Sequence, residues 1–247
     1  MYKAIKKYLG TGWLERELEK AKRESGLPEY IIYAVFLEIN RLIERLQNTV
    51  GFLAWAKEAR TSKDSDAFLF ELTCFENLMV PSNVIHLKEN DGAVEGLVKS
   101  RGEEFFIEMH NMKQLSGSAR NKVNKLFAKG RRKFTNKKGV LFVGCNPFHD
   151  GTDLQLEVLL KIPDIRTLVA EIARRLETRT NTQIIAIVLV FSNWHIDPRT
   201  KNATTDKAFL VLPKPERKGG PNLKFLSGIL AVKELYVQDS LLHRHTT

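Results

Sequence analysis

The stretch Gly92-Ala-Val-Glu95-Gly-Leu-Val-Lys99-Ser-Arg-Gly102-Glu-Glu-Phe-Phe-Ile-Glu108-Met-His110 decides the fold class of this chain. Two runs rich in strand-forming residues, Ala93–Lys99 and Glu104–Met109, flank Ser100-Arg-Gly102, whose glycine suits a hairpin turn. Alternation along the second run puts Glu108 and His110 on one face and Ile107 and Met109 on the other. Glu95 and Glu108 interrupt otherwise apolar strands, and a carboxylate taken out of water needs a cation or a donor. The hairpin can bring Glu95 to the face of Glu108, and a preceding helix carrying Glu71 can close over them.

Outward from the hairpin the pattern alternates helix and strand. Ala67–Leu78 reads as a short apolar helix, Asn83–Leu87 as a strand and Glu89-Asn-Asp-Gly92 as a turn. Ser116–Phe134 reads as a helix with Ala119, Val123, Phe127 and Phe134 inward, locally weakened by Gly130. Val140–Val143 and Gln183–Phe191 are unbroken apolar runs, the mark of strands covered on both faces. Ile165–Glu177 is an amphipathic helix between them, and Ala208–Leu212 is a further short strand. The order helix, strand, strand, strand, helix, strand, helix, strand predicts an α/β fold: a mixed sheet between helices, opening on an antiparallel hairpin. Lys214–Pro221 reads as a loop, with a helix or strand after it.

Residues 1–60 read as an N-terminal helical region. A charged amphipathic helix from Gly12 stops at Gly26 and Pro28. A second places Ile31, Ile32, Val35, Phe36, Ile39, Leu42, Ile43 and Leu46 at three-and-four spacing, and the pattern breaks near Asn48 and Gly51. The polar run Arg60–Asp66 reads as a linker, which sets a domain boundary between residues 1–60 and 61–247.

Charge is concentrated in one place. The 247 residues include 39 Lys and Arg against 29 Asp and Glu, a formal +10. Between Met109 and Lys138 lie Lys113, Arg120, Lys122, Lys125, Lys129, Arg131, Arg132, Lys133, Lys137 and Lys138, with no acid among them. This window alone carries the excess charge of the chain and is suited to a polyanion, above all the phosphates of nucleic acid. A solvated helix face is the plainer alternative. Two cysteines, Cys74 and Cys145, exclude a disulfide framework, and no CxxC pair suggests zinc. The N-terminus lacks the apolar core of a signal peptide, and the longest apolar run, Ile184–Phe191, is strand-sized. A cytoplasmic protein that does not span a membrane is the expectation. Gly10-Thr-Gly12 lacks both the third glycine of a dinucleotide fingerprint and a preceding strand. Cys145 with His149 is weak evidence for a nucleophile and base.

Over about residues 66–145, the order of elements and acids resembles the PD-(D/E)XK, or restriction-endonuclease-like, nuclease superfamily. The resemblance implies a three-layer core, a mixed sheet flanked by helices, with the N-terminal helical region added. It implies a metal-dependent nuclease acting on nucleic acid, DNA favoured over RNA. Glu71 would be the acid of the first core helix, Glu95 that of the first hairpin strand, and Glu108 the acid of the (D/E)XK tripeptide. Together these three would hold Mg²⁺ or Mn²⁺. The basic helix after the hairpin would lie along the substrate, with Lys113, Arg120, Lys122, Lys125, Arg131 and Arg132 on the backbone.

Two positions depart from the pattern. Glu95 stands where the family has Asp, and His110 stands where it has lysine, without lysine's permanent charge. His110 would assist at water or phosphate, with Lys113 or Lys99 as a displaced ammonium. Two other readings stand beside it: a degenerate nuclease fold that binds nucleic acid without cutting it, and an interaction module or homodimer in which residues 1–60 mediate assembly. In the latter the helix Ile31–Leu46 pairs with a copy of itself, where packing onto its own domain is the simpler alternative.

Overall fold

The structure, a computed structural model, describes residues 1–26, 28–81, 83–88, 94–100, 102–112, 117–135, 137–145, 156–178, 183–196 and 203–215. The predicted turn at 89–92, residues 216–221 of the predicted loop, and everything after it lie outside these. Five helices come first: α1 (Lys3–Tyr8), α2 (Thr11–Glu24), α3 (Glu29–Leu46), α4 (Phe52–Thr61) and α5 (Ser65–Leu78). Then follow β1 (Asn83–Leu87), β2 (Gly96–Ser100), β3 (Glu103–Met112), α6 (Ala119–Lys133), β4 (Gly139–Cys145), α7 (Leu156–Leu159), α8 (Pro163–Thr178), β5 (Ile184–Ile196) and β6 (Ala203–Pro213).

The six strands form one mixed sheet in sequence order. β1, β2 and β3 are antiparallel, β3, β4 and β5 parallel, and β5 and β6 antiparallel. All seven residues of β4 are buried, as its apolar run demands of a central strand. The crossovers β3–α6–β4 and β4–α8–β5 step the same way across the sheet. Right-handed connections therefore set both helices on one face. Val123, Leu126 and Phe127 of α6 and Leu168, Ile172 and Leu176 of α8 share that core with Phe106, Leu141, Val143 and Leu189.

The opposite face is covered by α5 and by the N-terminal helices. Ile5, Trp13, Ile43, Phe52 and Trp55 lie in one core with Phe75, Ile107, Phe142 and Val188. Residues 1–60 thus share their core with the sheet. The apolar side of α3 is used within the chain: Ile32, Phe36, Ile39, Ile43 and Leu46 are all buried.

Several boundaries move. The run 60–66, read as a linker, is mostly helix: α4 runs to Thr61, and Asp64 caps α5 by accepting from Ala67 N at 3.4 Å. The polar residues are there to end one helix and start the next. The basic helix starts at Ala119, with Ser118 accepting from Asn121 N. Glu95 sits in a bend ahead of β2, not inside a strand. The predicted break between α3 and α4 falls at Gly51, whose φ is +80°; a Cβ there would stand 1.9 Å from Leu87 O, so only glycine fits.

Gly130 brings α6 close to the sheet, since a Cβ there would lie 2.6 Å from Ile184 Cδ1. Its role is close packing, beyond the helix weakening expected of it.

Candidate nucleic-acid interface and carboxylate cluster

Three carboxylates converge on one lysine at the β1 end of the sheet. Lys88 directly follows β1 and has a left-handed backbone, φ 51°, with its N–H donating to Glu95 O at 2.7 Å. That conformation is costly for a side chain with a Cβ and marks a place where surrounding structure dictates the backbone. The Lys88 ammonium forms a close ion pair with Glu95. It also lies 3.3 Å from Glu58 Oε2 and 3.7 Å from Glu71 Oε2, with only 7% of its side chain exposed. Trp55 Nε1 donates to Glu71 Oε2 at 2.9 Å.

Burial, then the charge of Glu95, lifts the Glu71 carboxyl to about 7 against the pull of Lys88 and Trp55. Burial depresses Lys88, but Glu71 and Glu95 outweigh it and hold the ammonium above its ordinary range. Glu71 is therefore a carboxylate short of positive charge even with a lysine beside it.

Glu108 points the other way. It is fully buried, on the face of β3 that looks at α6. Lys129 Nζ lies 2.8 Å from its Oε1 and Lys133 Nζ 3.9 Å from its Oε2. Lys129 also donates to Met109 O at 2.7 Å. Burial raises the Glu108 carboxyl more than the two lysines lower it, and the charge of Glu95 adds to the rise.

Beside this pair, α6 and the end of β3 enclose a recess of about 300 Å³ lined by His110, Lys125, Leu126, Ala128, Lys129 and Arg132. The recess follows from helical spacing, since residues 125, 129 and 132 share a face at steps of four and three. His110 is pushed below its ordinary range by burial, then by Lys129, so at neutral pH it offers a neutral imidazole. Among the described residues, no acid lies within ion-pair reach of Lys125, Arg131 or Arg132.

Strand alternation holds: Glu108 and His110 share a face and Ile107 and Met109 take the other. Glu71 and Glu95 meet at Lys88, on the side of the sheet covered by the N-terminal helices. Glu108 belongs to the opposite layer, and Glu95 alone is electrostatically close to both other acids. His110, Lys125 and Arg132 come together in the recess. Arg120 feels the charge of Glu171 on α8, and Arg131 is exposed farther along α6. Lys122 touches Cys145 electrostatically, while burial drives that thiol up to about 12 and makes it a poor nucleophile. Lys113 and His149 lie outside the described residues. Lys99 pairs with Glu104 across the hairpin at 3.0 Å, so the ammonium beside Glu71 and Glu95 is that of Lys88, not Lys99. The sequence reading passed over Lys88, Glu58 and Trp55.

Comparison with protein families, curated proteins and solved structures finds no match for this chain. Among the described residues, no group of three or more His, Cys, Asp or Glu side chains is placed to hold a metal ion. As arranged, the acids do not fit the Mg²⁺ or Mn²⁺ that the resemblance implies. Lys88 fills the point where Glu58, Glu71 and Glu95 meet, and Glu108 is turned to Lys129. No described helix is long and apolar enough to cross a membrane.

Proposed function

We propose that this protein binds nucleic acid through its phosphate backbone. In this reading α6 lies along the strand, and the carboxylates of the nuclease-like scaffold are balanced by the protein's own lysines. The observation that carries it is the recess beneath α6, where Lys125 and Arg132 stand without an acid partner among the described residues, next to His110 and Lys129. Cations held on a rigid helix and left without an internal partner are available to an outside anion. At 15 residues α6 is roughly 22 Å long, enough to follow about six base pairs. Phe127 and Phe134, the aromatic residues of this segment, are buried, so no ring on α6 serves as a stacking platform. That favours backbone contact with duplex DNA over single-strand stacking.

Hydrolysis at the Glu71–Glu95 cluster, on the other face of the sheet from α6, is the second reading, favoured by Glu71, whose carboxyl stands near 7 beside Glu95. Carboxylates displaced this far cluster at reactive sites. One set of measurements separates the two. Duplex binding is followed against salt for wild type and for Lys125→Glu/Arg132→Glu, and plasmid nicking is assayed with Mn²⁺ in parallel. The binding reading expects log Kd to change with log salt with a slope of about 4, reduced by roughly one for each cation removed, and no nicking. Binding indifferent to the double reversal sinks the interface. Mn²⁺-dependent nicking that vanishes in Glu95→Ala replaces the binding reading with the hydrolytic one.

A further inference from the structure

The recess has a charge and shape that ask for more than an internal backbone phosphate. Lys129 is balanced by Glu108 at 2.8 Å, and His110 is a neutral donor. Lys125 and Arg132 therefore leave the cavity with two positive charges. A phosphodiester brings one negative charge and two free oxygens, whereas a phosphomonoester brings about −1.5 to −2 and three acceptor oxygens. Lys129 donates one ammonium hydrogen to Met109 O and stands 2.8 Å from Glu108 Oε1 as its ion-pair partner, which leaves a further hydrogen for a ligand. Arg132 adds a planar fork suited to paired phosphate oxygens, and Lys125 adds a point charge. Leu126, which is buried, supplies an apolar floor beside them, while Lys125 and Arg132 reach solvent.

We propose that this recess takes a phosphomonoester dianion, the terminal phosphate of a nucleic-acid strand, and so directs the protein to strand ends. The assignment rests on the nucleic-acid-binding reading above and goes beyond it by naming the group that the recess selects. Internal phosphates would be held by cations of α6 that do not line the recess, Arg131 among them.

The test measures fluorescence anisotropy of the full chain with two duplexes identical except for terminal phosphate or terminal hydroxyl. Wild type is expected to bind the phosphorylated duplex about tenfold more tightly, the scale of added charge-assisted contacts in a partly buried site. Arg132→Ala and, independently, Lys125→Gln should bring the ratio of the two affinities close to one. Arg131→Ala should weaken both duplexes alike and leave the ratio intact. Arg23→Ala, at an exposed position of α2, should change nothing.

Equal affinity for both duplexes in wild type, with binding still dependent on α6, overturns the end-recognition assignment and leaves backbone binding standing. Failure to bind either duplex overturns both. A nucleoside monophosphate that binds as tightly as the phosphorylated duplex also overturns it, since the recess would then serve a free phosphomonoester. Competition by the mononucleotide only at far higher concentration supports the strand end.

Discussion

Glu71→Gln isolates the cost of keeping a carboxylate beneath α4. The carboxyl stands at about 7 in the folded chain against an ordinary 4.5, chiefly through burial. The folded state therefore binds the proton more tightly than the unfolded chain does. The stability this linkage supplies is fully present below about pH 4.5 and is lost as pH rises through about 7. A displacement of this size corresponds to roughly 3 kcal/mol between the two ends of the window. Glutamine keeps the shape and an oxygen for Trp55 Nε1, but it carries no charge to desolvate. The variant should gain on wild type as pH rises, by about 1.4 kcal/mol per unit in the steep part, and level off above about pH 8. Urea denaturation of both proteins across about pH 4.5 to 8 reads the difference directly, because every other titrating group is common to the pair. A difference that stays flat with pH would refute the reasoning, as would a wild type that gains on the variant. A flat difference would mean that Lys88 fully compensates Glu71, and a gain by wild type that it overcompensates.

Lys129→Met leaves the fully buried Glu108 without its near cation and should cost about 3–5 kcal/mol at neutral pH, less in acid where the carboxyl can protonate. Adding Glu108→Gln should recover at least half of that loss in denaturant melts, and no recovery would mean that Lys129 acts by packing alone. Gly130→Ala gains roughly 1 kcal/mol of helix propensity but forces a methyl to 2.6 Å from Ile184 Cδ1, so a net loss of about 1–2 kcal/mol is expected. Ile184→Val in the same chain should restore stability, and a Gly130→Ala protein more stable than wild type would show that the helix is not pressed on β5.

The fold was legible where burial leaves a periodic mark. The runs Val140–Val143 and Gln183–Phe191 became β4 and β5, and the three-and-four spacing of Ile32, Phe36, Ile39 and Ile43 became the buried face of α3. Boundaries slipped where polar residues serve structure. Asp64 looks like a linker residue because capping uses the same side chains as loops do. Glu95 looks like a strand residue because the residues around it are apolar. Its bend is set by Lys88, whose N–H reaches Glu95 O, and no local pattern encodes that contact.

The candidate site divides in the same way. The basic face of α6 could be read directly, because residues 125, 129 and 132 fall together by helical geometry alone. Convergence of Glu71, Glu95 and Glu108 could not, because alternation assigns a residue to a face but does not say which helix covers it. Glu108 looks at α6 while Glu71 belongs to the layer behind the sheet. Lys88 was least legible of all, since a lysine at the end of an edge strand ordinarily points to water. What turns it inward is α4, which brings Glu58 to the ammonium and Trp55 to Glu71 from a region read as separate from the core. The N-terminal helices are therefore part of the electrostatics of the sheet edge. Removing them would leave Lys88 with Glu71 and Glu95 but without the apolar cover that lifts the Glu71 carboxyl to about 7.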